Sequence, residues 1–126
     1  MNPRTLLLIG AGVLCATALT GIARAADGKH GAEVFEEQCA ECHSLKPGKA
    51  KKGPSLFGLV GRDAGAQSDY DYSDAMKRSA LTWTPEKLEA YLVYPRKLVP
   101  GTKMKYDGLS DIRARADLIQ YLGSVN

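Results

Sequence analysis

Two cysteines and a histidine stand together early in the chain, in the sequence CAECH at residues 39–43. The thiols of Cys39 and Cys42 are separated by two residues, and His43 follows directly. A pair with this spacing can form a disulfide, act as a redox dithiol, supply half of a zinc site or anchor a prosthetic group. The remaining cysteines and histidines decide between these uses.

The rest of the sequence argues against most of these uses. Outside CAECH the only other histidine is His30, so a zinc site lacks its two further ligands. A thioredoxin-like dithiol is typical of a βαβ pattern, and no strand-like run surrounds CAECH. C-x-x-C followed by His is the attachment signature of c-type haem, in which both thiols bond to one haem and the histidine faces the iron. Residues three apart on a helix share a face, so Cys39 and Cys42 are expected to point the same way.

The first 25 residues have the three regions of a secretory signal peptide. Arg4 supplies the positive start, residues 6–18 are nearly all apolar, and Ala23-Arg24-Ala25 places small residues where a signal peptidase reads them. We expect cleavage after Ala25 and export to the periplasm, where covalent haem attachment can take place. A membrane anchor is the alternative, but its apolar run is short of the roughly 20 residues that span a bilayer. Cys15 is expected to leave with the signal.

The mature chain, residues 26–126, is expected to form one domain. Removal of Arg4 and Arg24 leaves 15 of the 17 Lys and Arg residues against 14 Asp and Glu residues. This near balance gives no indication of nucleic-acid binding. One close pair of cysteines also excludes a scaffold built on several disulfides.

A haem iron bound by one histidine needs a sixth ligand or keeps an open site, and this choice separates an electron carrier from an enzyme or a gas-binding protein. Once Met1 has left with the signal, Met76 and Met104 remain. Met76 lies in a polar stretch that resembles a short helix. Met104 lies in a segment with two prolines and two glycines between residues 95 and 108, which predicts a rigid loop suited to holding a weakly binding thioether. Either methionine could instead fill the core.

Helical periodicity and capping residues predict an all-α chain. In the last helix, residues 112, 116, 119 and 122 are predicted to form the apolar stripe. The predicted helices run from Gly28 to Cys42 with Asp27 as N-cap, over a short piece at residues 55–60, from Tyr72 to Arg78, from Pro85 to the stop at Pro95, and from Ser110 or Asp111 to Gly123.

Six stretches of the sequence resemble the class I cytochromes c, of the mitochondrial and bacterial cytochrome c2 type. They occur in that family's order between about Gly31 and Leu122, and they read VFEEQCAECHSL, KKGPSLFGLVGR, DYDYSDAM, LTW, YLVYPRKLVPGTKM and DLIQYL. The resemblance implies a small fold of three main helices, short helices and loops around one covalently bound haem c. It also implies a monomeric electron carrier rather than an enzyme.

The resemblance implies a role for each matching position. Cys39 and Cys42 would form the thioethers, and His43 and Met104 would be the axial ligands. The remaining positions would support the haem and its ligands: Pro54 by accepting a hydrogen bond from His43, Arg62, Tyr72, Ser73 and Trp83 by contacting the propionates, Tyr91 by lying beside Met104, and Thr102 by bracing the Met104 loop. Gly31 and Phe35 would pack against Tyr121 where the first and last helices cross.

Three positions depart from the family pattern. Met76 stands where mitochondrial relatives commonly have Asn, and it keeps a second candidate ligand in the sequence. Tyr94 replaces a usual Asn before Pro95, and Tyr106 stands where Phe is common beside the haem edge. These departures concern fine tuning of the site rather than its class.

Basic side chains flank the two ligand segments and are predicted to form a basic ring that steers acidic redox partners. The partners implied are a bc-type complex, a photosynthetic reaction centre, a terminal oxidase or a dehydrogenase. An enzyme with an open sixth site and a ligand-sensing haem domain remain as alternatives. The basic ring consists of Lys46, Lys49, Lys51, Lys52, Arg96, Lys97, Lys103 and Lys105.

Overall fold

The computed structural model describes residues 24–126 of the chain. This part forms five helices: α1 (Gly28–Gln38), α2 (Asp74–Lys77), α3 (Pro85–Val93), α4 (Pro95–Leu98) and α5 (Ile112–Gly123). In place of a sheet, the described residues contain an isolated antiparallel bridge between Asp63 and Thr82. The all-α prediction is confirmed. Most of the predicted signal peptide, with Cys15, lies outside the described residues.

Helices α1 and α5 cross at the point predicted by the sequence. A Cβ built on Gly31 would lie 2.0 Å from the carbonyl oxygen of Asp117, so the two backbones meet where α1 has no side chain. One turn further on, the rings of Phe35 and Tyr121 have centroids 6.2 Å apart. This crossing brings the two ends of the described chain together and forms one wall of the interior.

The starts of α1 and α3 follow the predicted capping residues, whereas α2 begins at Asp74 rather than at the predicted Tyr72, because Ser73 caps it. The side chain of Asp27 accepts hydrogen bonds from the backbone of Lys29 and His30 at the start of α1. Thr84 caps α3 through the backbone N–H of Lys87, with Pro85 as the first helical residue. Local side chains therefore fix where these helices begin.

The end of α5 at Gly123 agrees with the prediction, but the end of α1 does not. Helix α1 ends at Gln38 rather than Cys42, because the N–H groups of Cys39 and Ala40 both bond to the carbonyl of Phe35 and the helical register is lost. The short helix predicted at residues 55–60 is wrong. There Gly58 has φ +63° and its N–H bonds to the carbonyl of Val125, so the backbone forms turns.

Helix α4 is a difference from the prediction, in which Pro95 only ends the preceding helix. The residue before it, Tyr94, has an extended backbone with φ −162°, which ends α3. Proline lacks an N–H and is well suited to the first helical position, so Pro95 begins a new short helix.

The buried face of α5 agrees with only half of the predicted stripe. Leu122 is buried and Ile119 is partly buried against the core, as predicted, but Ile112 is 67% exposed and Ala116 is exposed. Ala114 and Leu118 are buried in their place. The polar Arg115 and Asp117 are buried beside them, because α5 packs against both α1 and α3. No helix of residues 24–126 has the length and apolar character needed to cross a membrane.

Candidate functional site

A cavity of about 350 Å³ lies at the centre of the fold and is walled mainly by apolar side chains. Leu59, Leu88, Leu92, Leu118 and Leu122 contribute to its apolar lining. Every residue predicted for the site lies on this same wall: Cys39, Cys42, His43, Pro54, Arg62, Tyr72, Ser73, Trp83, Tyr91, Thr102 and Met104. The fold thus collects residues from both halves of the chain around one space.

The thiols of CAECH reach the cavity from turns that follow α1. Cys39 is buried and Cys42 is partly buried. The N–H groups of Cys42 and His43 both bond to the carbonyl of Cys39, at 3.0 and 2.9 Å, which keeps this segment compact after the helix has ended. Burial raises the pKa of the Cys39 thiol to about 11, whereas a redox dithiol needs a lowered thiol pKa.

His43 is held in one orientation by Pro54 and Gly53. Its Nδ1 lies 2.8 Å from the Pro54 carbonyl oxygen. A carbonyl oxygen can only accept, so Nδ1 carries the proton and Nε2 of the neutral ring keeps a lone pair. A Cβ on Gly53 would lie 2.5 Å from Cε1 of His43, so glycine is required for the backbone to pass the ring. The imidazole is therefore prepared to bind a metal ion through Nε2.

The protonation state of His43 agrees with this arrangement. Burial lowers the pKa of the imidazole, and the hydrogen bond to Pro54 acts in the opposite direction. Because burial is the larger effect, the ring is neutral at neutral pH. Neutral imidazole is the form that binds metals.

Met104 lies in a loop, residues 99–106, that follows α4 and is called the ligand loop after the role predicted for Met104. The hydroxyl groups of Thr102 and Tyr91 lie 3.1 Å apart, and Thr102 Oγ1 also accepts the N–H of Met104 at 3.3 Å. The N–H of Thr102 bonds to the carbonyl of Val99, which closes a turn inside the loop. Tyr91 on α3 thus fixes the backbone beside the Met104 thioether.

Met76 lines the same cavity as Met104. It is buried on α2, where its backbone N–H bonds to the side-chain oxygen of Ser73. The departure from the family pattern at this position therefore puts a second thioether in the interior.

The residues predicted to contact the propionates have other partners within the protein. The guanidinium of Arg62 donates to the carbonyls of Ser55 and Phe57, both at 2.9 Å. Tyr72 is buried and packs edge-on against Tyr70, with ring centroids 4.9 Å apart. The proposed propionate contacts therefore use side chains that the protein already holds in place.

One hydrogen bond between two residues that line the cavity was not predicted from the sequence. The hydroxyl of Tyr106 donates to Oε1 of Gln38 at 3.0 Å, which joins the ligand loop to the end of α1. The replacement of Phe by Tyr at position 106 was the available signal, but its partner, 68 positions away, could not be inferred.

Side chains of the basic ring are all exposed, but they are not electrostatically equivalent. Five members form no ion pair with any residue of the described part of the chain: Lys46, Lys49, Lys51, Lys97 and Lys105. Three members do form ion pairs: Lys52 with Glu41, Arg96 with Asp107 at 2.6 Å, and Lys103 with Asp71 at 2.9 Å.

Comparison with known proteins gives consistent matches over this region. The family model described as Cytochrome c matches residues 28–126. A cytochrome c of Theileria parva is 50% identical over 97 residues, covering 76% of this chain and 84% of that protein. A cytochrome c2 of Rhodopila globiformis is 47% identical over 96 residues, covering 76% of this chain and 88% of that protein. A cytochrome c of Guizotia abyssinica is 46% identical over 101 residues, covering 79% and 91%.

Proposed function

The chain belongs to the cytochrome c family, whose members are electron carriers rather than enzymes and hold one covalently attached haem c per chain, and from this premise we propose that it carries single electrons between membrane redox complexes in the periplasm. The observation that supports the proposal most strongly is the shared cavity. The thiols of Cys39 and Cys42, the imidazole of His43 and the thioether of Met104 all line it.

These side chains fit the group that the family carries. Cys39 and Cys42 would hold haem c through two thioether bonds, and His43 Nε2 and the Met104 sulfur would be its axial ligands, a pairing known for cytochromes c. Bound haem c supplies an iron centre that alternates between the ferric and ferrous states. Gly53 and Pro54 keep the imidazole in the orientation that this ligation needs.

The protein around the site favours electron transfer over ligand chemistry. A methionine ligand closes the position that oxygen or peroxide would use. The apolar lining excludes water, and together with a neutral sulfur ligand it favours ferrous iron and raises the reduction potential. The hydroxyl groups of Tyr91 and Thr102, 3.1 Å apart, hold the ligand loop to α3, which would limit rearrangement of the loop during electron transfer.

The docking partner is proposed to be the acidic surface of a membrane redox complex. The basic ring lies on the two segments that carry His43 and Met104, so electrostatic steering would bring the cavity mouth toward the partner. The candidate partners are a bc-type complex, a photosynthetic reaction centre, a terminal oxidase and a dehydrogenase. The N-terminal signal sequence supports export, with residues 26–126 as the mature monomer.

The axial ligand can be tested with two matched methionine variants of the holoprotein. We expect native ferric protein to show the long-wavelength absorption band of methionine–iron ligation and to bind cyanide slowly. Met104→Ala should lose the band and bind cyanide and carbon monoxide readily, whereas Met76→Leu should keep the band. Loss of the band in Met76→Leu with retention in Met104→Ala would assign the ligand to Met76 instead.

The same spectra separate the proposed carrier from the alternative classes. A native protein with a high-spin ferric spectrum and fast cyanide binding would be an open-site haem enzyme or a ligand sensor, and the carrier proposal would fail.

Cellular location is tested by mass spectrometry of the secreted chain, which should begin at Ala26. A chain that begins at Met1 would contradict the proposed signal cleavage.

A further inference from the structure

We propose that Asp71 is a positioning residue for the sixth iron ligand, because its carboxylate fastens the ligand loop next to Met104. The inference rests on the proposed ligation by Met104 and adds a residue to it. Asp71 does not line the cavity, so it would act through Lys103 rather than by contact with the bound group.

The contact between Asp71 and Lys103 has two parts. The ammonium group of Lys103 donates to the carboxylate of Asp71 at 2.9 Å and to the backbone carbonyl of the same residue at 2.6 Å. Lys103 directly precedes Met104, and Asp71 directly precedes Tyr72, which lines the cavity. One side chain therefore joins the residue before Met104 to the residue before Tyr72, 32 positions away in the chain.

The other side-chain hydrogen bonds of the ligand loop connect it to different helices. Thr102 is joined to Tyr91 of α3, and Tyr106 is joined to Gln38 at the end of α1. The contact with Asp71 is the one that reaches the segment before α2. Gly101 also lies close to α2, because a Cβ on it would lie 3.1 Å from Cβ of Ala75. The loop thus rests directly against α2 and is held there by an ion pair.

The charge of Asp71 is maintained by two lysines. Lys103 and, more weakly, Lys77 lower the pKa of the carboxyl group, so it is ionised at neutral pH. The Asp71 side chain is 84% exposed and the Lys103 side chain 49% exposed, so salt screens the pair. An exposed pair contributes little to overall folding, but it can change how often the loop opens.

The test is the rate at which cyanide displaces Met104 from the ferric holoprotein at fixed neutral pH. We expect Asp71→Asn to bind cyanide about two- to fivefold faster than the native protein at low ionic strength, which is the range expected for loss of an exposed ion pair. In the native protein the rate should rise with added salt, and in Asp71→Asn it should change much less. Asp71→Glu keeps the carboxylate and should restore most of the native rate.

Asp107→Asn is the matched control, because it removes the same charge from an exposed pair with Arg96. Its cyanide rate should stay close to the native value. Equal rates for native protein and Asp71→Asn would overturn the proposal, and so would an equal acceleration in Asp107→Asn. These outcomes are distinct from failure of the proposed function, which would appear as absence of the methionine–iron band in the native protein.

Discussion

Nδ1 of His30 on α1 lies 2.7 Å from a carboxylate oxygen of Asp117 on α5. The other carboxylate oxygen of Asp117 accepts the backbone N–H of Asp27 at 2.6 Å. Asp117 therefore binds the N-terminal cap and the first turn of α1 at once, beside the close approach at Gly31. No role for His30 is predicted from the sequence, and the fold places His30 in the crossing between α1 and α5.

This pair makes the stability of the protein depend on pH. The hydrogen bond to Asp117 raises the pKa of His30 above 6.5, and the bonds from Asp27 and His30 lower the pKa of Asp117 below 3.8. The His30 contribution is complete below pH 6.5 and is lost as pH rises through the raised pKa. The Asp117 contribution is complete above pH 3.8 and is lost as pH falls through the lowered pKa.

His30→Ala is therefore expected to destabilise the holoprotein most between about pH 4 and 6.5, with a smaller effect at pH 8 and above. Thermal unfolding of native and variant protein across this range measures the difference. Lys29→Ala, at the adjacent exposed position, should show no such pH dependence. A His30→Ala effect that is the same at pH 5 and pH 9 would show that protonation of the pair does not contribute.

Gly31→Ala is expected to destabilise the crossing of α1 and α5 by about 3 kcal/mol, because its Cβ would lie 2.0 Å from the backbone oxygen of Asp117 and overpacking costs of this order are typical. Denaturation by urea measures the loss. Gly28→Ala, in the same helix, is the control: no atom lies within 4 Å of its added Cβ. That variant should be neutral or slightly stabilising, and equal losses in the two variants would contradict the steric explanation.

Arg115→Met is expected to lower the free energy of unfolding by about 2–4 kcal/mol. The buried Arg115 donates to Glu89 on α3 at 2.8 Å, and to the carbonyls of Leu109 and Ser110 at 2.6 and 2.9 Å. Its removal leaves two carbonyls and a half-exposed carboxylate without this partner. Arg113→Met, which changes an exposed residue of the same helix, should stay within about 0.5 kcal/mol in urea denaturation. Similar losses for both would show that the buried contacts contribute little.

Lys105→Gln is expected to slow electron transfer to an isolated acidic partner complex more than Lys52→Gln does. Lys52 is already paired with Glu41, whereas Lys105 forms no ion pair within the described residues. One charge contact at 4 Å in water is worth about 1 kcal/mol, so a reduction of up to about fivefold in the association rate is expected at low salt. Stopped-flow rates at increasing ionic strength should converge for all three proteins. Rates independent of salt would remove the steering role of the basic ring.

Local sequence predicted the beginnings of the helices better than their ends. Asp27 and Thr84 cap the helices that follow them, because a capping side chain needs only backbone groups two or three residues away. The ends depend on competing partners. Phe35 accepts two N–H groups and stops α1, and Val125 takes the N–H of Gly58 from the far end of the chain. The first contact is local, but the contact with Val125 is not visible in any window of neighbouring residues.

The sequence by itself determined the class of the protein, because the CAECH motif has a local, covalent spacing and six stretches, one of which contains CAECH, resemble one family. That resemblance also predicted which residues line the central cavity. Only the tertiary structure decided which charges act alone and which are paired. Asp71 meets Lys103 across 32 positions and His30 meets Asp117 across 87. Such contacts exist because packing brings distant segments together, and packing depends on the whole chain rather than on any motif within it.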